Sequence, residues 1–103
     1  MLQRRINRFS GGDKMEEQRQ AARVLAAFGG ADNLTRLRYC ASRVRAELRD
    51  GGRLDRQEMA RVGGIKAVLE VETPQRTTEY QLVVGPGNAR PLYQALIALS
   101  GEK

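Results

Sequence analysis

Histidine does not occur in these 103 residues, and cysteine occurs once, as Cys40. Without an imidazole neither a zinc site nor a cysteine–histidine pair can be assembled, and a single thiol permits no disulfide within the chain. No metal centre and no cofactor are therefore expected. Long apolar runs are also missing: nothing approaches the roughly 20 residues a bilayer span requires, and the opening MLQRRINRFSGG lacks the apolar core of a signal peptide. A cytoplasmic protein is the expectation. Aromatic residues are scarce, five in all, and no segment shows the aromatic-rich strand pattern on which sheet-based RNA binders stack bases.

What is present is a chain of 41% apolar content, enough to close one small two-layer core. Its formal charge of +6 is unevenly spread. Residues 1–49 hold eleven basic and five acidic groups, whereas residues 50–103 hold seven of each. Five arginines against one glutamate lie between Leu34 and Arg49, so the positive field is densest around Cys40 and attracts anions.

Residues 1–12 are basic, end in Ser10-Gly11-Gly12, and read as a linker or arm; residues 13–103 read as the domain. Asp13, with Glu16 three residues on, is a candidate cap for a first helix whose Ala21, Val24, Leu25 and Phe28 recur at helical spacing, and Gly29-Gly30 stops it. Leu34 to Cys40 and Ser42 to Leu48 read as strands joined by a tight hairpin at Ala41. In the second strand Val44, Ala46 and Leu48 alternate with Arg43, Arg45 and Glu47, giving one apolar and one charged face. A short helix follows, capped by Asp55 with Glu58 in box-like spacing, turning Met59 and Val62 inward and ending at Gly63-Gly64.

Ala67 to Glu72 and Glu79 to Val84 form a second predicted hairpin around Pro74, and Gly85-Pro86-Gly87 breaks its last strand. Asn88 is the expected cap of a closing helix that tolerates Pro91 in its first turn and buries Leu92, Ala95, Leu96 and Leu99. The order α-β-β-α-β-β-α with short loops favours antiparallel hairpins with the helices packed on one face.

A lone cysteine at a strand end is commonly a small buried hydrophobe. In Arg38-Tyr39-Cys40-Ala41-Ser42-Arg43-Val44-Arg45, however, three guanidinium groups lie within a few residues of the sulfur and favour thiolate over thiol. Arg43 and Arg45, two apart on one strand, project from the same face and can clamp one dianion. Redox exchange wants a resolving cysteine, and cysteine–histidine hydrolysis wants the missing imidazole. The tyrosine-phosphatase spacing wants an arginine where this chain has Ala46. Phosphoryl transfer from an activated donor is left, since a thiolate needs no general base and the protein's task is to position the group and neutralise its oxygens.

Four features carry a family resemblance. Ala26-Ala27-Phe28-Gly29-Gly30-Ala31-Asp32-Asn33-Leu34 resembles the opening motif, and Cys40-Ala41-Ser42-Arg43-Val44-Arg45 the phosphorylation motif, of the enzyme IIB domain of glucose-type sugar phosphotransferase systems. Gly63-Gly64-Ile65-Lys66-Ala67-Val68 resembles that family's glycine-rich turn into the third strand, and Gln81 followed by Gly85 its glutamine before a glycine. The resemblance, from about Ala21 to Leu99, implies an α+β fold: an open-faced two-layer sandwich with a four-stranded antiparallel sheet and three helices. It also implies that Cys40 accepts a phosphoryl group from a phosphohistidine on a IIA component and passes it to a sugar held by a IIC membrane component, at the inner face of the membrane. Arg43 and Arg45 would hold the phosphoryl oxygens, with Ser42 and Gln81 donating hydrogen bonds. Two residues depart from the pattern: Ser42 stands for threonine, keeping the hydroxyl, and Arg38 stands where an acid is common, adding a third cation to the phosphoryl-binding set.

The competing readings are a small basic nucleic-acid-binding protein, suggested by +6 and fifteen arginines, and a catalytically degenerate IIB-like regulatory module. The scarcity of aromatics counts against the first, and no nucleic-acid partner is expected.

Overall fold

A computed structural model of the chain describes residues 16–101. The arm over residues 1–12 and the cap at Asp13 lie outside the described residues. Helix α1 runs through residues 16–27, followed by β1 (Leu34–Tyr39), β2 (Arg43–Leu48), α2 (Arg56–Arg61), β3 (Ala67–Glu72), β4 (Thr78–Val83) and α3 (Ala89–Ser100). Short 3-10 turns at Ala31–Asn33 and Gly51–Arg53 join α1 to β1 and β2 to α2. The strands lie in the order β1-β2-β4-β3 with every neighbouring pair antiparallel, so both hairpins form as expected and meet at β2 and β4. This is the α+β open-faced sandwich.

Alternation along the strands explains the two layers. Leu37 of β1, Val44 and Ala46 of β2 and Tyr80 and Leu82 of β4 face the helices and are buried. Against them pack Ala21, Val24, Ala27 and Phe28 from α1 and its end, Met59 and Val62 from α2 and its end, and Leu92 and Leu96 from α3. Phe28 is fully enclosed; burying one such ring stabilises the fold by roughly 1.5–3 kcal/mol. Opposite parity points away from the helices and carries Arg38, Arg43, Arg45, Glu47, Glu79, Gln81, Leu69 and Val71. No helix among the described residues covers that face.

Gly29 and Gly30 end α1 with φ of 101° and 98°, a left-handed backbone that other residues adopt only with strain. The chain then passes Asn33, which is fully buried and whose amide is satisfied on both sides. Its Nδ2 donates to the carbonyls of Phe28 (2.7 Å) and Asp50 (2.9 Å), and its Oδ1 accepts from the Asp50 amide (2.8 Å). The asparagine of the opening motif thus ties the end of α1 to the exit from β2.

Several local expectations shift. Cys40 and Ser42 fall just outside the strands, and the last strand is Thr78–Val83 rather than Glu79 to Val84. Asp55 caps α2, accepting from the Glu58 amide at 3.0 Å, but the Glu58 side chain pairs with Arg61 instead of closing a box. Asn88 does not cap α3 through its side chain: it adopts a helical backbone, and its Nδ2 donates back to the Val84 carbonyl at 3.0 Å. Leu99 is half exposed because the stripe of α3 that meets the sheet is Ala89, Leu92 and Leu96, and the helix has passed beyond it by its last turn.

Candidate functional site

Cys40 is the first residue past β1, and its side chain is exposed. Three contacts fix the backbone around it. The Cys40 amide donates to the Arg43 carbonyl at 2.9 Å, leaving Ala41 and Ser42 as the tip of the hairpin. The Ser42 carbonyl accepts from the amides of Val84 and Gly85, each at 3.0 Å, which binds the tip to the loop leaving β4. One residue before the cysteine, the Tyr39 ring lies 4.7 Å from that of Tyr93 on α3, at an interplanar angle of 41°. Tilted aromatic pairs at this separation attract, so the end of β1 is held against the helix layer while Cys40 stays exposed.

Gly85 has a φ of 93°, and a side chain there would also approach Lys66 Nζ to 3.2 Å. Only glycine lets this loop turn without strain while the Lys66 ammonium stands over it, on the loop hydrogen-bonded to Ser42.

The arginines occupy the open face beside this tip. Arg38 of β1, Arg45 of β2 and Gln81 of β4 lie in one cross-strand row, and Arg43 lies in the next row toward the cysteine, opposite Val83. Arg43 Nη1 donates to Gln81 Oε1 at 2.8 Å. Arg45 Nε donates to Glu79 Oε1 at 2.9 Å, Arg38 Nη2 to Glu79 Oε2 at 3.0 Å, and Gln81 Nε2 to Glu79 Oε1 at 2.8 Å. A weaker pair joins Arg38 to Glu47 at 3.8 Å. Among the described residues no hydrogen bond joins a guanidinium to the Cys40 sulfur: the three arginines make their protein contacts along the sheet toward β4.

Glu79 was not among the residues the sequence singled out. It is 1% exposed, a buried carboxylate on the uncovered face of the sheet, enclosed by the arginine side chains that lie across it. Burial pushes its carboxyl up, but hydrogen bonds from Gln81, Arg45 and Arg38, with the charge of Arg45, outweigh this and hold it below the usual carboxylate range. One signal was legible: Glu79 is two residues from Gln81 and shares its face. Nothing in the linear order, however, brings position 79 beside positions 38 and 45.

The site therefore unites Cys40, Ser42 and the Gly85 loop at one end of the hairpin with Arg43, Arg45, Arg38, Gln81 and Glu79 on the adjoining sheet face. Chemically this is an exposed cysteine at the end of a hairpin whose open sheet face carries cations, an arrangement suited to a nucleophile that takes up an anionic group.

The chain is similar to known proteins of one family. Residues 22–55 match the family described as phosphotransferase system, EIIB. Over 88 residues, 85% of its length, the chain is 35% identical to the PTS system MurNAc-GlcNAc-specific EIIBC components of Staphylococcus aureus strains USA300 and NCTC 8325 / PS 47, and it spans 17% of the length of those relatives. Among solved structures, the crystal structure of one domain of the PTS system IIabc component from Clostridium difficile shares the fold, with a TM-score of 0.74 over 87% of each chain at 21% identity.

Proposed function

The chain belongs to the EIIB family of the phosphotransferase system, and from that membership we propose that it is a phosphoryl carrier whose acceptor is Cys40. The observation that carries this reading is the exposed cysteine at the end of β1, with Arg43 and Arg45 on the adjoining open face. In the loading step the thiolate of Cys40 attacks the phosphorus of a phosphohistidine on a IIA component. The S–P bond forms as the N–P bond breaks, and the imidazole nitrogen leaves with the electron pair. In the second step a sugar hydroxyl attacks the same phosphorus, the O–P bond forms, the S–P bond breaks, and the sulfur leaves as thiolate. The hydroxyl proton passes to a base that accompanies the sugar. Both steps are displacements in which charge moves among the phosphoryl oxygens, and the guanidinium groups of Arg43 and Arg45 neutralise it.

The relatives are named as EIIBC components, which supports a IIC membrane partner for this chain; the IIA donor follows from the carrier role. No helix among the described residues is long and apolar enough to cross a membrane, so the sugar and its translocation are assigned to IIC. For that reason the sugar in the relatives' name is not carried over. A nucleic-acid role finds no support on the open face. No aromatic side chain of the described strands has the parity to stack on bases there.

The test is incubation with a phosphorylated IIA protein of the glucose class, followed by mass spectrometry of the intact chain. One phosphoryl group is expected on the wild type, with the acid and alkaline lability of a thiophosphate, and none on Cys40→Ser. A wild type that stays unmodified by several active donors sinks the carrier reading.

A further inference from the structure

Glu79 is the one buried ionised side chain in the described core, and the chemistry above gives it no role. Its contacts divide unequally. Oε2 accepts from Arg38 Nη2, while Oε1 accepts from both Arg45 Nε and Gln81 Nε2. A carboxylate only accepts hydrogen bonds, so it dictates which end of the Gln81 amide it meets: the nitrogen must face Glu79, which leaves the carbonyl oxygen to accept from Arg43 Nη1 at 2.8 Å. Arg45, Glu79, Gln81 and Arg43 thereby form one continuous chain of charge-assisted contacts across β2 and β4. Arg45 is gripped through Nε alone, and among the described residues neither of its terminal nitrogens has a hydrogen-bond partner. Four of its five N–H groups and most of those of Arg43 are unspent on protein among the described residues.

We propose that Glu79 is a positioning residue for phosphoryl transfer: it anchors Arg45 directly and Arg43 through the orientation it imposes on Gln81, so that the two guanidinium groups meet the phosphoryl group as one rigid unit. This rests on the carrier reading. Neither arginine is buried, Arg43 being part-exposed and the Arg45 side chain 36% exposed, and a free arginine samples many rotamers. A fixed anchor removes that freedom before the phosphoryl group arrives, which is where preorganisation lowers a barrier. An amide at position 79 cannot replace the carboxylate. If its oxygen stays on Arg45 and Gln81, its NH2 faces the N–H of Arg38, donor against donor, and the anchor of Arg45 loses its charge; if the amide turns its oxygen to Arg38, its NH2 faces Arg45 and Gln81 and the chain breaks.

The experiment compares wild type, Glu79→Gln and Glu79→Asp in two ways. Steady-state transfer from phosphorylated IIA to sugar in the presence of IIC is expected to show kcat lowered at least tenfold in Glu79→Gln, with KM for phosphorylated IIA within about twofold. Glu79→Asp, which keeps the charge on a shorter stem, should recover part of the loss. In parallel, the Arg45 Nε–H and Gln81 side-chain NH2 resonances, followed by NMR without any donor, are expected to move together in Glu79→Gln. Wild-type kcat in Glu79→Gln, or arginine and glutamine resonances that do not move, overturns the proposal. Failure of the wild type to become phosphorylated would instead remove the carrier reading, and the NMR comparison would still decide whether Glu79 organises Arg45 and Gln81. If Glu79→Gln does not fold, Glu79→Asp decides alone: shifted resonances with a reduced kcat support the role, and unchanged values of both refute it.

Discussion

Arg38 and Arg45 stand directly opposite one another across β1 and β2, two like charges on the uncovered face of the sheet. Such a cross-strand pair is destabilising in isolation. Here the Glu79 carboxylate, from the third strand of the row, accepts from both, at 3.0 and 2.9 Å, and turns the repulsion into a bridge. The departure at position 38, where an acid is common in the family the sequence resembles, is thus balanced within the fold: the acid that Arg38 needs comes from β4.

Glu79 makes stability depend on acid in a defined direction. Its folded-state carboxyl titrates below the usual carboxylate range, because hydrogen bonds from Gln81 and the arginines outweigh burial. A lowered folded-state value means that its contribution is fully present above the unfolded-state value, about 4.3 for glutamate, and is lost as pH falls through the lower folded one. Urea denaturation of wild type and Glu79→Gln should show a gap in midpoint at pH 7 that narrows as pH falls below about 4. A gap that stays constant with pH would show that the carboxylate's charge does not stabilise the fold.

Much of this fold was legible because the strands alternate cleanly. Val44, Ala46, Tyr80 and Leu82 against Arg43, Arg45, Glu79 and Gln81 is a period of two that only a half-buried strand satisfies. Asp55 announced its helix, and its side chain caps it. Asn88 misled because a cap needs its Oδ1 to accept from a helix N–H, whereas its Nδ2 donates back to the Val84 carbonyl and ties the amide to the turn behind it. Cys40, Arg43 and Arg45 sit within six residues, and so their grouping was readable. Glu79 was not, because its partners are 34 and 41 residues away and only the strand order β1-β2-β4 brings them together.

A close approach far from the cysteine gives a second test. A methyl group at Gly51 would stand 2.1 Å from the Tyr80 hydroxyl and 3.3 Å from the ring carbon that bears it. Gly51→Ala is expected to cost about 1–3 kcal/mol, the usual range for overpacking. Removing the hydroxyl clears the worst contact, so Gly51→Ala in a Tyr80→Phe background should cost markedly less. The pair should therefore couple in a double-mutant cycle read by thermal or urea denaturation. Strict additivity would mean that the turn at Gly51–Arg53 moves instead of meeting the ring.

The two arginines assigned to the phosphoryl group are held differently, and lysine should expose the difference. Among the described residues Arg43 hydrogen-bonds through its side chain to the neutral carbonyl of Gln81, whereas Arg45 is bound through Nε to a buried carboxylate with its terminal nitrogens left over. Lysine at 43 keeps a charge with three donors and loses the planar grip; it can still reach a phosphoryl oxygen, and its former partner is a neutral amide that solvent can satisfy. Lysine at 45 has a single ammonium for two tasks. Either it stays with Glu79 and leaves the phosphoryl oxygens, or it moves to them and strips Glu79 of one of its two guanidinium partners, an outcome that carries a large penalty for a buried charge. Alanine at either position removes a donor to moving charge and should slow passage to sugar on the order of 100-fold. Arg43→Lys should then recover to within about tenfold of wild type, and Arg45→Lys should remain near the alanine value. Rapid-quench measurement of phosphoryl passage from loaded protein to sugar distinguishes the four variants. Loading from IIA should change less than passage in each, because the incoming group is already activated on its donor. If lysine rescues position 45 as well as position 43, the Nε anchor to Glu79 contributes nothing to transfer, and the arginines act as separate point charges.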